Sequence, residues 1–526
     1  MICKIITLNY KSAIVKPNEN TTTMRSKKFL YGMAAVLLSS GLLFTSCSDD
    51  DNKVPTPPEQ ENEKRVTTDE QFYANHFAHD ILEIYYYWNE EIAADLKKLN
   101  PLTNVNPIQT VNEIKYHEGN QPIDKWTTLI QNMKEFEEGV SGVSTTYGYQ
   151  LILYKIANSK QFVGAVGFVY KDSPAAKAGL KRGDIIWAIN GKEITEENYE
   201  DLYYSSNATF SLAELKIQDD GSGLISPTQK DIALNAVKMY EDPILVDSIY
   251  ECNGKKVGYL AYASFDLNSI PRLIDISKRF KTEGVKELVL DLRYNGGGYV
   301  LTENAMASMY APQSAVDAKK VFEMEKYNKI ITQENQKEGY DGKTSFMTEY
   351  KINDIPISTQ GANIGLDKVY GLVTRYSASA SEALLSGLMP YMDVELIGEP
   401  SHGKYCTGWM IAAEKAYKKV PQPIKDWGIY VMVSIYQNAK GETPCMPNGL
   451  QPQMEVVDDP MSFKQLGDVN ENMLKVALQR AGKVYDDKEK QSRSGWMNQF
   501  QPLEGLHKAN FGKRILLPDQ LPLLDE

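Results

Sequence analysis

Apolar positions follow three different rhythms along the 526-residue chain. Between residues 67 and 140 they recur every three or four positions, in DEQFYANHFAHDILEIYYYWNEEIAADLKKL and again in DKWTTLIQNMKEFEEG. This predicts an N-terminal helical bundle, punctuated at Asn100-Pro101. From 145 to 240 the rhythm shortens to strands such as YGYQLILYKI and FVGAVGFVY. A short helix then opens at Ser173-Pro174 and stops at Gly179, Arg182-Gly183-Asp184 turns into a strand, and Asn190-Gly191 makes a two-residue hairpin turn. From 241 to 460 strands alternate with helices: KKVGYLAYASF, PRLIDISKRFKTEG, ELVLDLR, TENAMASMY, KVYGLVT, SEALLSGLMPYM and VELIGEP. That alternation predicts an α/β core with largely parallel pairing. Residues 311–365 interrupt it with polar, irregular sequence and read as an insertion; in 461–526 a helix at NENMLKVALQRAG precedes a Lys/Asp-rich tail.

The N-terminal residues change where the chain is expected to work. Met24 opens a basic stretch (Arg25, Lys27, Lys28) followed by an apolar run that ends at Cys47, so residues 1–46 read as a leader and export signal. The residues FTSC resemble a bacterial lipobox, which implies lipidation of Cys47. Residues 47–66 are acidic, Pro-rich and nearly devoid of apolar side chains, and read as a disordered tether. The expectation is an exported lipoprotein of a Gram-negative bacterium, held at the outer membrane by its lipid.

Net charge excludes one class of partner. At −12 overall, with no cluster of Lys and Arg, the chain offers nothing to track a phosphate backbone, so no nucleic acid is expected. No cysteine or Cys/His spacing fits a metal site; Cys252, Cys406 and Cys445 read as free thiols. His76 and His79, three apart on one predicted helix, read as surface or core-edge histidines rather than ligands.

Three segments carry candidate chemistry. RYSASASEALLSGLM sets small residues and serines at a helix start, where free N–H groups favour a developing oxyanion. Ser379 followed by Glu382 is equally a capping box. DLRYNGGGYV exposes backbone amides at a strand end and lacks the Lys-Ser/Thr pair of a phosphate loop. GEPSHGKYCTG holds Lys404 between glycines; a buried lysine without a carboxylate partner loses its proton near neutrality, whereas an exposed one stays charged.

The hairpin-rich segment 145–240 resembles a PDZ domain, and the resemblance makes Tyr147, Gly148, Tyr149, Gln150 and Leu151 the loop that takes a peptide C-terminus. With the three chemical segments behind it, the chain resembles the C-terminal processing (tail-specific) peptidases from about 145 to 455. This implies a crotonase-like α/β peptidase core, polypeptide substrates, and a Ser/Lys dyad that needs neither cofactor nor metal. By motif, Ser379 corresponds to the nucleophile and Lys404 to the general base, with the N–H groups of Ala380 and Gly297 as oxyanion donors in preference to Gly298. One position departs from the pattern. Many members carry a Gln four residues after the lysine, and here that residue is Gly408. The alternatives are a Ser379-His402 triad, a catalytically silent PDZ-containing peptide-binding lipoprotein, and an acyl-CoA enzyme on the same fold.

Overall fold

The computed structural model describes residues 64–352, 355–462, 464–485, 499–503 and 512–517. The leader, Cys47 and the tether as far as residue 63 lie outside the described residues. Among the described residues no helix is long and apolar enough to cross a membrane.

The core consists of two sheets with a helix between them. The first sheet runs Ile244–Cys252, Lys255–Tyr262, Glu287–Asp291, Lys368–Val373, Asp393–Gly398 and Met454–Glu455. Its first pair is antiparallel and the rest are parallel. Glu287–Asp291 is buried at every position, as a central parallel strand covered on both faces must be. The second sheet runs Gly297–Tyr299, Lys513–Ile515, Cys406–Ala412, Gly428–Asn438, Val321–Tyr327 and Lys343–Ser345. Helix Ala380–Leu388 is buried along its whole length, with Leu385 against Gly371 of the first sheet and Gly387 against Phe322 of the second. Small and apolar residues all round let it lie there.

Three expectations are corrected. Residues 311–365 are not a peripheral insertion, because Val321–Tyr327 is an inner strand of the second sheet. Its acidic residues Glu323 and Glu325 face inward, which hides the strand from a hydropathy reading. The N-terminal region is not an independent bundle. Helix Asp69–Tyr85, started by a Thr68/Gln71 capping box, buries Phe77, Ile81, Leu82 and Tyr85 in the same cluster as Ile429 and Met432 of the core. Thr128–Ile130 is a strand paired with Gly428–Tyr430. Finally, after the predicted helix, found at Asn472–Arg480, the described parts of the tail are strands. Phe500–Pro502 joins the PDZ-like sheet and Lys513–Ile515 joins the core.

The PDZ-like sheet runs Gly223–Asn235, Asn207–Ile217, Ile185–Ile189, Phe162–Val169, Tyr149–Ile156 and Phe500–Pro502, and it has its own apolar cluster around Tyr149, Val166, Ile186 and Phe210. A chain of buried ions ties it to the core. Arg182 donates to Asp458 (2.6 Å) and to Tyr294; Asp458 also holds Arg293 (3.0 Å), which grips Asp291 and Glu471. Breaking one link leaves a buried charge uncompensated, so the PDZ-like sheet is fixed against the loop that carries NGGG.

Candidate active site

Ser379 stands at the junction of a parallel strand and the central helix, with φ 66° and ψ −116°. A non-glycine residue holds that conformation only when its surroundings impose it. They do so through the two flanking serines. Ser377 donates to the Leu292 carbonyl (2.8 Å) and accepts from the Thr374 amide (2.9 Å). Ser381 donates to the Asn295 carbonyl (2.9 Å), which also takes the Ala378 amide (3.0 Å). The Ser379 hydroxyl is buried and makes no hydrogen bond. Of the three serines in SASAS, two pin the turn and the middle one is left for chemistry.

Glu382 joins the nucleophile loop to the lysine loop. Its carboxylate accepts from the Ser379 amide (2.8 Å), the Ser401 hydroxyl (2.5 Å), the Gly403 amide (2.6 Å) and the Lys404 amide (2.9 Å). The half of the capping box that Glu382 supplies therefore forms, and the same side chain also sets the lysine loop. Burial pushes the Glu382 carboxyl up to about 7 in spite of these donors.

Lys404 has no exposed surface. Its amine donates to the Tyr430 hydroxyl at 2.9 Å and lies over the rings of Trp126 and Tyr430, 5.3 and 5.1 Å from their centroids. Burial foremost, and then the like charges of Lys513 and Arg514, pull its amine down to about 7, against the opposite pull of Cys406 and Asp124. This brings the amine into the range in which a general base is effective near neutral pH.

Tyr430 occupies the space of the absent glutamine. A Cβ on Gly408 would overlap the Tyr430 ring and come within 2.5 Å of the Met432 methyl. The tyrosine, on the neighbouring strand, reaches through that space to the amine. Its hydroxyl donates to the Arg514 carbonyl (2.9 Å) and accepts from the Arg514 amide (3.0 Å). With its single hydrogen committed, it meets Lys404 as an acceptor, which leaves the amine's lone pair for another donor.

The oxyanion donors need one correction. The Gly297 amide donates to the Asn295 side chain at 2.9 Å, so this arrangement turns it away from Ser379. Ala380, the first residue of its helix, has no acceptor a turn earlier. Gly297 has φ 105°, and a Cβ there would stand 2.7 Å from the Ser379 Cβ and 2.5 Å from the Lys513 carbonyl oxygen, so only glycine fits.

In the PDZ-like sheet, Tyr147 and Tyr149 point into the apolar cluster with Phe210, and Tyr149 donates to the Leu202 carbonyl (2.5 Å). The Gly148 carbonyl takes the Tyr170 amide (2.9 Å), while the Gln150 side chain donates to the Leu151 carbonyl (2.9 Å) on the outer strand edge. One step along that edge, the Leu153 carbonyl accepts the Leu503 amide (2.9 Å). Elsewhere, His402 packs edge-on against Trp126. His79 lies beside Asp80 and Glu83, acidic neighbours that the spacing did not anticipate, whereas His76 packs on Phe72. The three cysteines are free and buried.

Residues 256–456 match the model described as Peptidase family S41, and residues 166–207 match that of a PDZ domain. The core therefore resembles a family S41 peptidase domain. A probable CtpA-like serine protease of Staphylococcus epidermidis is 26% identical over 338 residues, covering 60% of this chain and 58% of its own length. One of Staphylococcus aureus is 26% identical over 287 residues, covering 54% of this chain and 49% of its own. The chain thus spans about half the length of the curated relatives it matches. A putative S41 protease from Bacteroides fragilis shares the fold, with a TM-score of 0.58 at 22% identity over 77% of this chain and 96% of that one. Tyr430, Trp126 and Asn295 of the candidate site were not foreseen from the sequence. Only Asn295 carried a local signal, lying directly before the three glycines.

Proposed function

We propose that the protein is a serine endopeptidase working through a Ser379/Lys404 dyad on exported polypeptides, with the PDZ groove engaging their C-termini. The observation that carries this reading is the burial of Lys404 beside aromatic rings, its amine held by a hydroxyl instead of a carboxylate. In the proposed reaction the neutral amine takes the Ser379 proton as Oγ attacks the scissile carbonyl. The Ala380 amide and the glycine loop, once the Gly297 amide turns from Asn295, then meet the oxyanion. The ammonium passes its proton to the leaving amine, and water releases the acyl group by the same route. Residues 1–46 and Cys47 support export and lipid attachment at the outer membrane of a Gram-negative cell.

The test is cleavage of an unfolded protein such as casein by the purified full chain. Ser379→Ala and Lys404→Ala are each expected to abolish it; full activity in both would remove the dyad. A silent peptide binder is the outcome if the native chain binds casein-derived peptides and cleaves none.

A further inference from the structure

The proposed chemistry places a substrate strand between the oxyanion glycines and strand Cys406–Ala412, and that gap is filled by the chain itself. Lys513–Ile515 pairs in parallel with Gly297–Tyr299, and Ile515 pairs with Gly408 on the other side. A Cβ on Gly512 would stand 4.0 Å from the Lys404 Cδ, and one on Gly297 would meet both the Lys513 carbonyl oxygen (2.5 Å) and the Ser379 Cβ (2.7 Å). The same tail also occupies the second peptide site. Phe500–Pro502 lies antiparallel on Tyr154–Ile156, the polarity of a peptide added to a PDZ edge, and Leu503 packs against the apolar cluster of that sheet.

One of the three side chains that this strand buries is an arginine, in a pocket shaped for a guanidinium. Arg514 is fully buried and meets three carboxylates on two elements. It donates to Glu303 of helix Val300–Tyr310 (3.1 Å), and to Glu325 (2.5 Å) and Glu323 of strand Val321–Tyr327. Thr407 also accepts from it, and the Tyr436 ring lies beneath, 4.6 Å from the guanidinium carbon. Burial above all pushes the Glu303 and Glu323 carboxyls up, Glu323 to about 7, and one oxygen of Glu323 finds no donor. Glu325 is itself oriented by Ser434 (2.6 Å) and Thr407 (2.9 Å). A fork of donors above an aromatic face suits arginine and not the point charge of lysine.

We propose that Glu303, Glu323 and Glu325 form a specificity pocket for an arginine side chain of the peptide strand beside Ser379, occupied in this structure by the chain's own Arg514. This rests on the peptidase reading for the position of the strand, while the pocket has a readout of its own in binding.

The test uses the full chain carrying Ser379→Ala and Arg514→Ala, titrated with a labelled peptide copying residues 510–517 and with its arginine-to-alanine counterpart. The arginine peptide is expected to bind at least about tenfold more tightly, as for a site built to pair a polar group. Adding Glu303→Gln and Glu325→Gln should erase the difference. Equal binding of the two peptides overturns the pocket. So does loss of a cooperative thermal transition in Arg514→Ala, which would make the arginine a structural strut. With Ser379 restored, the Arg514→Ala chain should cleave arginine-containing peptides in preference to alanine-substituted ones. Cleavage without that preference overturns the pocket and leaves the peptidase reading intact. Arginine-selective binding without any cleavage supports the pocket and removes the peptidase reading.

Discussion

The Tyr430 hydroxyl accepts from the Lys404 amine at 2.9 Å, through the space that Gly408 leaves open. Removing that hydroxyl keeps the ring and loosens the base. Tyr430→Phe is expected to lower kcat by roughly 10- to 100-fold with little change in KM, the pattern of a misaimed proton acceptor. An unchanged kcat would show that the amine finds its position without the tyrosine.

The pairing of Gly408 with Tyr430 can be tested in reverse. Gly408→Gln alone drives a side chain into the Tyr430 ring and should cost roughly 1–3 kcal/mol of stability along with most activity. Combined with Tyr430→Ala, the glutamine gains room to reach Lys404, and the double variant should be more active than either single one. Strict additivity of the two losses would count against the exchange.

Activity should rise with pH through about 7. In the proposed reaction Lys404 works as the neutral amine, and burial brings it down to about 7, so the base form gains between pH 6 and pH 8. The measurement is kcat/KM across that range. A flat profile would mean that the amine is not the proton acceptor.

The same depressed lysine destabilises the fold whenever it carries a proton. Lys404→Met should be inactive, and below pH 7 more stable than the native chain by an amount on the order of a few kcal/mol. That gain is full below about 7, where folded and unfolded lysine are both charged, and shrinks as pH approaches the ordinary value of 10.5. Thermal melts at pH 6 and pH 9 supply the comparison; a loss of stability at both would contradict the burial argument.

Leu503→Pro deletes the donor to the Leu153 carbonyl and should free the PDZ edge for peptides in solution. Titration with a peptide bearing a free C-terminus should give a dissociation constant lowered by about threefold or more. An unaltered constant would separate residues 499–503 from the groove.

What the sequence made readable followed from local rules. ELVLD and KVYGLVT declare buried parallel strands by composition, and the helix beginning at Ala380 announces itself by small residues and a Glu at the third position. Ser379 is singled out in the sequence only by the family resemblance, because Ser377 and Ser381 are the same residue in the same alternation, and the physical difference lies in their hydrogen bonds. Val321–Tyr327 was illegible for a different reason. Glutamates facing a core make sense only once Arg514, 189 residues beyond Glu325, is seen between them. Tyr430 and Gly408 likewise explain each other across two strands, a relation that no spacing along the chain encodes.

The strand Lys513–Ile515 is tethered to the sites it fills, and so behaves as a competitor whose local concentration is set by chain length and is untouched by dilution. For short tethers that concentration reaches the millimolar range. Any free polypeptide must prevail over it, and a weak one gains little from being abundant. Without a covalent link the same strand would be an ordinary ligand, subject to dilution like any other. On the proposed reading, release of the strand Lys513–Ile515 is then what opens the cleft to another polypeptide.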